Sequence, residues 1–207
     1  MCVIVHKPAE ARIPPDLLRA ALALNNDGWG LMGFGAGGEL VLERHAASEH
    51  ASIPAALEKH AEHDVVLHLR QRTRGSNERD NAHPFKVAEH LYLMHNGTLP
   101  IHSRVAGKSD TWHFVHDILR PLHARHSTLF DDHAFLALLE MSLKPENKVV
   151  LLDERQKSIA VLNRAHGVEF EGLWLSNTRW IDRSLLPLTD TPQPQQRSYA
   201  ADKLHFG

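Results

Sequence analysis

The sequence predicts an α+β fold, and three observations lead there. Short apolar runs rich in Val, Leu and Ile, such as residues 65–69 and 91–94, read as interior strands. Stretches with apolar side chains on one helical face, such as Leu17, Leu18, Ala21 and Leu22, read as amphipathic helices. The two kinds are interspersed, with no internal repeat of about 20–50 residues, so helices are expected to gather on sheet faces.

Taken in order, residues 2–5 form a short buried strand that Pro8 ends, followed by a turn around Ile13-Pro14-Pro15. Pro15 and Asp16 suit a helix start, and Asn25-Asn26-Asp27-Gly28 breaks that helix by turn chemistry. Residues 29–34 and 39–43 read as two strands joined by Gly35-Ala36-Gly37-Gly38. A second helix is expected over 51–60. A third, over 110–122, carries Trp112, Val115, Ile118 and Leu119 at helical spacing, and a fourth covers 135–141. Strands are expected at 149–152, 159–162 and 172–175. From Leu186 onward Pro, Gln, Thr and Ser dominate. The expectation is one domain over 2–185 and a tail or surface arm over 186–207.

Composition limits the function classes. The chain has 207 residues, 43% of them hydrophobic, which is ample for a core and argues against disorder or fibre. Lys and Arg number 23 against 25 Asp and Glu, so the basic excess of a dedicated nucleic-acid binder is missing. The longest early apolar run, Cys2-Val3-Ile4-Val5, is too short for a signal core or a bilayer span. A single cysteine cannot make an internal disulfide and suits a reducing compartment. The expectation is a cytoplasmic protein with neither membrane nor nucleic acid as partner.

Two motifs tempt without holding. Gly33, Gly35 and Gly38 match a G-x-G-x-x-G spacing, but the mechanism needs those glycines to open a helix. Glu39-Leu40-Val41-Leu42-Glu43 alternates like a strand, so a hairpin turn is expected. Seventeen histidines include the i, i+3 pairs His60 with His63, His113 with His116, and His123 with His126. No H-E-x-x-H accompanies them and only one cysteine exists, so they read as solvated helix-face residues. Neither a metal nor another cofactor is expected.

Cys2 stands apart. Loss of an initiator methionine ahead of a small residue would make Cys2 the N-terminus, with an α-amine of pKa about 8 able to take the thiol proton. Read without the rest of the chain, the same cysteine is a small buried residue at the head of a strand. Four later blocks follow: His68-Leu69-Arg70-Gln71-Arg72-Thr73-Arg74-Gly75, then Asn81-Ala82-His83-Pro84-Phe85, Met94-His95-Asn96-Gly97 and Lys108-Ser109-Asp110-Thr111. In that order after Met1-Cys2, they resemble the class II glutamine amidotransferases, which are N-terminal-nucleophile (Ntn) hydrolases. Asn26-Asp27-Gly28-Trp29-Gly30 is similar to that family's early Asp-Gly-x-Gly segment. The resemblance covers about residues 2–120 strongly and the later strands by general layout.

The resemblance implies a four-layer αββα sandwich of the Ntn-hydrolase type. It implies hydrolysis of the side-chain amide of glutamine to glutamate and ammonia, through a thioester on Cys2. A side-chain amide and a backbone N–H at Asn96 and Gly97 can hold an oxyanion, though Asn-Gly is also a common hairpin turn. Arg70 at a strand end can grip a carboxylate with two parallel hydrogen bonds, and Thr73 can add a hydroxyl or simply close the turn. Asp110 can receive an α-ammonium or cap a helix. In similar proteins the stretch holding His83 lines the glutamine pocket, often through its backbone. Gln71, Arg72 and Arg74 depart from the family's usual tryptophan or alanine and histidine, which alters the outer wall of the pocket. Nothing after about residue 185 could fold as an ammonia-using domain. Either a separate synthase subunit accepts the ammonia or the chain acts as a hydrolase on another γ-glutamyl compound. The remaining alternatives are a non-catalytic amino-acid sensor of the same fold and a histidine-rich metal carrier.

Overall fold

The computed structural model describes residues 2–73, 75–76 and 79–186. The expected tail therefore falls, from residue 187 on, outside the described residues, as do Met1 and Arg74. The elements run β1 (Val3–Lys7), α1 (Pro15–Leu22), β2 (Trp29–Phe34), β3 (Leu40–His45), α2 (Ile53–Lys59), β4 (Asp64–Leu69), β5 (Phe85–Ala88) and β6 (Leu91–Asn96). They continue with α3 (Asp110–His113), α4 (Arg120–Arg125), α5 (His133–Ser142), β7 (Lys148–Asp153), β8 (Ser158–Leu162), β9 (Val168–Phe170) and β10 (Leu173–Leu175).

Local chemistry accounts for most boundaries. α1 starts at Pro15, which has no N–H to waste in a first turn, and buries Leu17, Ala20 and Ala21. The glycine-rich stretch after β2 closes a hairpin: Gly35 N–H donates to Glu39 O at 2.9 Å and Gly38 N–H to Gly35 O at 2.9 Å. No helix opens there. The expected 51–60 helix divides into a 3₁₀ turn over Ala47–Ser52 and α2, whose first turn takes Pro54. The expected 110–122 helix extends to residue 125, and its middle, Phe114–Leu119, is π-wound. Pro121 lacks the N–H that a regular helix would give to Asp117, and the widened turn leads into it.

All the strand pairs are antiparallel. One sheet has the order β3-β2-β4-β1-β10-β9, the other β5-β6-β7-β8. Three apolar clusters stack them. Leu17, Ala21 and Ile53 of α1 and α2 cover Val3, Leu31 and Leu67 on one face of the larger sheet. Ile4, Met32 and Val66 meet Met94, Val150 and Leu152 between the sheets. Phe114, Val115, Leu119 and Leu139 cover Leu93, Val149 and Leu151 on the outer face of the smaller sheet. Each strand residue thus alternates between an inter-sheet and a helix-facing environment. The fold is α+β with antiparallel sheets, and among the described residues no helix is long and apolar enough to cross a membrane.

Two of the paired histidines depart from the expectation of solvated helix faces, while His126 is exposed as expected. His60 and His113 are buried, because each finds a carboxylate: His60 Nε2 lies 3.1 Å from Glu43 Oε1, and His113 Nδ1 lies 2.8 Å from Asp117 Oδ2. His116 stacks on Trp112 with ring centroids 3.9 Å apart. Among the described residues, no group of three or more His, Cys, Asp or Glu is placed to hold a metal ion.

Candidate active site

Alternation along the strands changes character towards one rim of the inter-sheet layer. Going outward, Ile4 gives way to Cys2, Val66 to His68 and Arg70, and Met94 to Asn96. On the neighbouring strands Val150 gives way to Lys148 and Trp174 to Ser176. A period of two keeps each series on one face, so the same register that buries the apolar members delivers the polar ones to a common edge.

Cys2 precedes β1, and its thiol donates to Gln71 O at 3.6 Å. Burial pushes this thiol above its ordinary 9.0, the Arg70 charge works against that rise, and the Asp110 charge adds to it. The carbonyl of Cys2 accepts from Asn177 Nδ2 at 3.1 Å. Arg70 follows the last residue of β4, with 4% of its surface exposed. Its backbone exchanges bonds with the loop ahead of β2, giving its N–H to Gly28 O at 2.8 Å and accepting from Asp27 N–H at 2.9 Å. Its guanidinium donates to Asp27 O at 3.3 Å and Ser76 O at 2.9 Å, while Asp27 Oδ2 accepts from Arg72 N–H at 2.8 Å.

Asn96 ends β6 opposite Lys148, and the chain then leaves for the 110–125 helix, so Asn96-Gly97 is not a hairpin turn. Asn96 Nδ2 donates to Ser176 Oγ at 2.8 Å, while its Oδ1 is buried with no partner among the described residues. Ser176 Oγ also accepts from Ile4 N–H at 2.9 Å. Gly97 has φ +146°, and a methyl group there would collide with the Asn147 side chain. That side chain is held in turn: Asn147 Oδ1 accepts from His95 Nε2 at 3.0 Å, and His95 Nδ1 accepts from the Thr111 hydroxyl at 2.8 Å.

The helix cap is made by Ser109, whose Oγ accepts from Trp112 N–H at 3.1 Å. Asp110 is thereby released from capping. Its carboxylate accepts from Leu99 N–H at 2.7 Å and Thr111 N–H at 3.0 Å, fastening the segment after Gly97 to the helix. Asn81, fully buried, holds the loops beneath, donating to Gly107 O at 2.7 Å and accepting from Ser109 N–H at 2.8 Å.

The structure thus gathers Cys2, Arg70, Asn96, Gly97 and Asp110 at one rim. Thr73 sits on an exposed turn. The His83 ring is sealed inside, stacked on His68 at 3.9 Å and edge-on to Phe85 at 4.8 Å, with both nitrogens lacking a hydrogen-bond partner among the described residues. Its carbonyl lies where a side chain at Gly30 would be. Ser176, Asn177, Asn147 and Asn81 escaped the sequence reading. Ser176 had a signal, since it continues the inward register of Trp174; Asn81 heads the Asn81-Ala82-His83-Pro84-Phe85 block but was given no role of its own, and Asn147 and Asn177 had no signal beyond their type.

The two stacked imidazoles have a measurable consequence. Burial holds His68 at about 3 against an ordinary 6.5, and pushes His83 well below it. Below pH 6.5 the unfolded chain takes up protons that the folded chain refuses, so stability falls on acidification by about 1.4 kcal/mol per pH unit for each such histidine. Urea unfolding of His68→Gln between pH 6.5 and 5 should show a shallower slope by about that amount. Equal slopes would mean that the folded protein protonates His68.

A thiol at a rim shared with a side-chain amide is equipped for acyl transfer, and a cation and an anion whose charges both reach it suit the two ends of an amino acid. Comparison with known proteins bears on which amino acid. Residues 17–149, more than half of the chain, match the family described as glutamine amidotransferases class-II. The matched stretch holds Arg70, Thr73, His83, Asn96, Gly97 and Asp110, and Cys2 precedes it. Among solved structures, a glutamine aminotransferase class-II domain protein from Silicibacter pomeroyi aligns over 74% of this chain and 73% of its own, with 18% identity and a TM-score of 0.36. No curated protein matches. The chain belongs to the class II glutamine amidotransferases.

Proposed function

We propose that this protein hydrolyses the side-chain amide of glutamine, or of a γ-glutamyl compound, through a thioester on Cys2, and that the fold is the αββα sandwich of Ntn hydrolases. The observation that carries the proposal is the convergence of Cys2 with Arg70, Asn96, Gly97 and Asp110 at one rim. Burial raises the thiol pKa, so the proton needs a base close by. The α-amine of Cys2, freed by removal of Met1, is that base. Loss of its proton lets sulfur attack the δ-carbonyl, and the tetrahedral oxygen is received by the Asn96 side chain and the Gly97 N–H. The amine returns the proton to the departing nitrogen, and water then cleaves the thioester to give glutamate. Arg70 takes the α-carboxylate and Asp110 the α-ammonium; Thr73 closes the outer wall, and His83 supports the floor of the pocket under Arg70. An amide lacking either charge would forgo a charge-assisted hydrogen bond to Arg70 or Asp110, which is a basis for rejection. The ammonia is released or passed to a separate synthase subunit.

The test is the state of the N-terminus. Intact-mass analysis of catalytically active protein should show loss of Met1, and a form in which Met1 cannot be removed should release no glutamate. Full activity with Met1 uniformly retained would remove the α-amine from the mechanism.

A further inference from the structure

The rim continues into a second space that hydrolysis of free glutamine does not need. A cleft of about 970 Å³ opens beside Asn96, walled by Lys148, Asn177, Arg179 and Trp180. It shares walls with the site already described: Asn96 and Lys148 are cross-strand partners, and Asn177 bonds the carbonyl of Cys2. Ammonia would occupy a small fraction of such a volume, whereas about 300–1,000 Å³ is ordinary for an organic ligand.

Lys148 gives the cleft its chemistry. Only 6% of its surface is exposed, yet its ammonium has no hydrogen-bond acceptor and no ion-pair partner among the described residues. The stem is packed away, while Nζ is not fully enclosed, so the free charge faces the cleft that the residue lines. Burial lowers its pKa, the Arg179 charge lowers it further, and the Glu146 charge opposes both. Glu146, also on the cleft wall, favours the charged form without closing an ion pair with it.

We propose that this cleft receives the amine half of a γ-glutamyl amide, and that Lys148 selects amines bearing an anionic group such as a carboxylate or sulfonate. The inference rests on the hydrolytic reading above and extends it to the substrate class. In the reaction Sγ bonds to the δ-carbon, the C–N bond breaks, and the Cys2 α-ammonium gives its proton to the leaving nitrogen. The acidic amine then departs through the cleft, and water completes glutamate.

The experiment compares kcat/KM for γ-glutamylglycine, γ-glutamyltaurine and the uncharged γ-glutamylpropylamide in the wild-type protein and in Lys148→Met. Wild type should prefer both acidic amides by about tenfold to a hundredfold, the range of one charge-assisted bond, and Lys148→Met should lose that preference. A preference for the carboxylate alone would narrow the class and still support the site. Equal rates for acidic and neutral amides in wild type, or an intact preference in Lys148→Met, would overturn it. Calorimetry of the same three amides on Cys2→Ala reads the subsite without turnover and without altering Lys148. If glutamine and all three amides resist hydrolysis, the parent reading fails, and the calorimetric ranking still decides the subsite.

Discussion

Cys2→Ala should abolish glutamate release, lowering turnover by at least about 10⁴-fold, while glutamine still binds within a few-fold of the wild-type affinity. The reason for the split lies in where the groups sit. In the proposed mechanism the thiol supplies the covalent step, whereas the charges assigned to the amino-acid end belong to Arg70 and Asp110 on other elements. Removing Sγ deletes one bond, to Gln71 O, and leaves the Cys2 carbonyl in place for Asn177. Rapid-quench assay of glutamate together with calorimetry of glutamine measures both halves. Residual turnover within tenfold of wild type would identify a different nucleophile.

Asn96→Ala should lower kcat by about 10²–10³ with little change in KM, since a donor to a developing oxyanion acts on the transition state. Ser176 fixes the amide by one bond at 2.8 Å and is itself fixed by the Ile4 N–H. Truncation leaves the Ser176 hydroxyl short of one partner, a loss of about 1 kcal/mol in stability, so the variant should melt within several degrees of wild type. An Asn96→Ala protein that raises KM and keeps kcat would make Asn96 a ground-state binder.

Much of this was legible in the sequence, and the reason is the strand period. Runs such as Val65 to Leu69 and Leu91 to Met94 announce buried strands, and once their register is set, Arg70 and Asn96 follow onto the inner face. The bounds of β4 and β6 differ from the expectation only where Asp64, His95 and Asn96 extend the ladder with side chains that carry no apolar signal. β5 and β9 alternate apolar and polar residues but are too short for the pattern to stand out. The first is four residues with a register shift, and the second is three exposed residues at a sheet edge. The site divides likewise. Residues in a distinctive local string, such as Asn96-Gly97 or Ser109-Asp110, could be found; those that act across long loops could not. Asn147 meets Gly97 fifty residues away and Ser176 meets Asn96 eighty away, and single-sequence reading has no access to such pairs.

The antiparallel order of the sheets separates two rims of the molecule, and that separation has an evolutionary meaning. Cys2, Arg70, Asn96, Lys148 and Ser176 all lie where strands begin or end on one side. The tight reversals between β2 and β3, β5 and β6, and β7 and β8 lie on the other. Insertions at Gly35–Gly38 or around Glu154–Lys157 would lengthen turns that no residue of the proposed site shares. Turns at one rim can lengthen without touching the proposed site, while substitutions at the other reach it directly. A lineage built on this chain can diversify its attachments without renegotiating its chemistry.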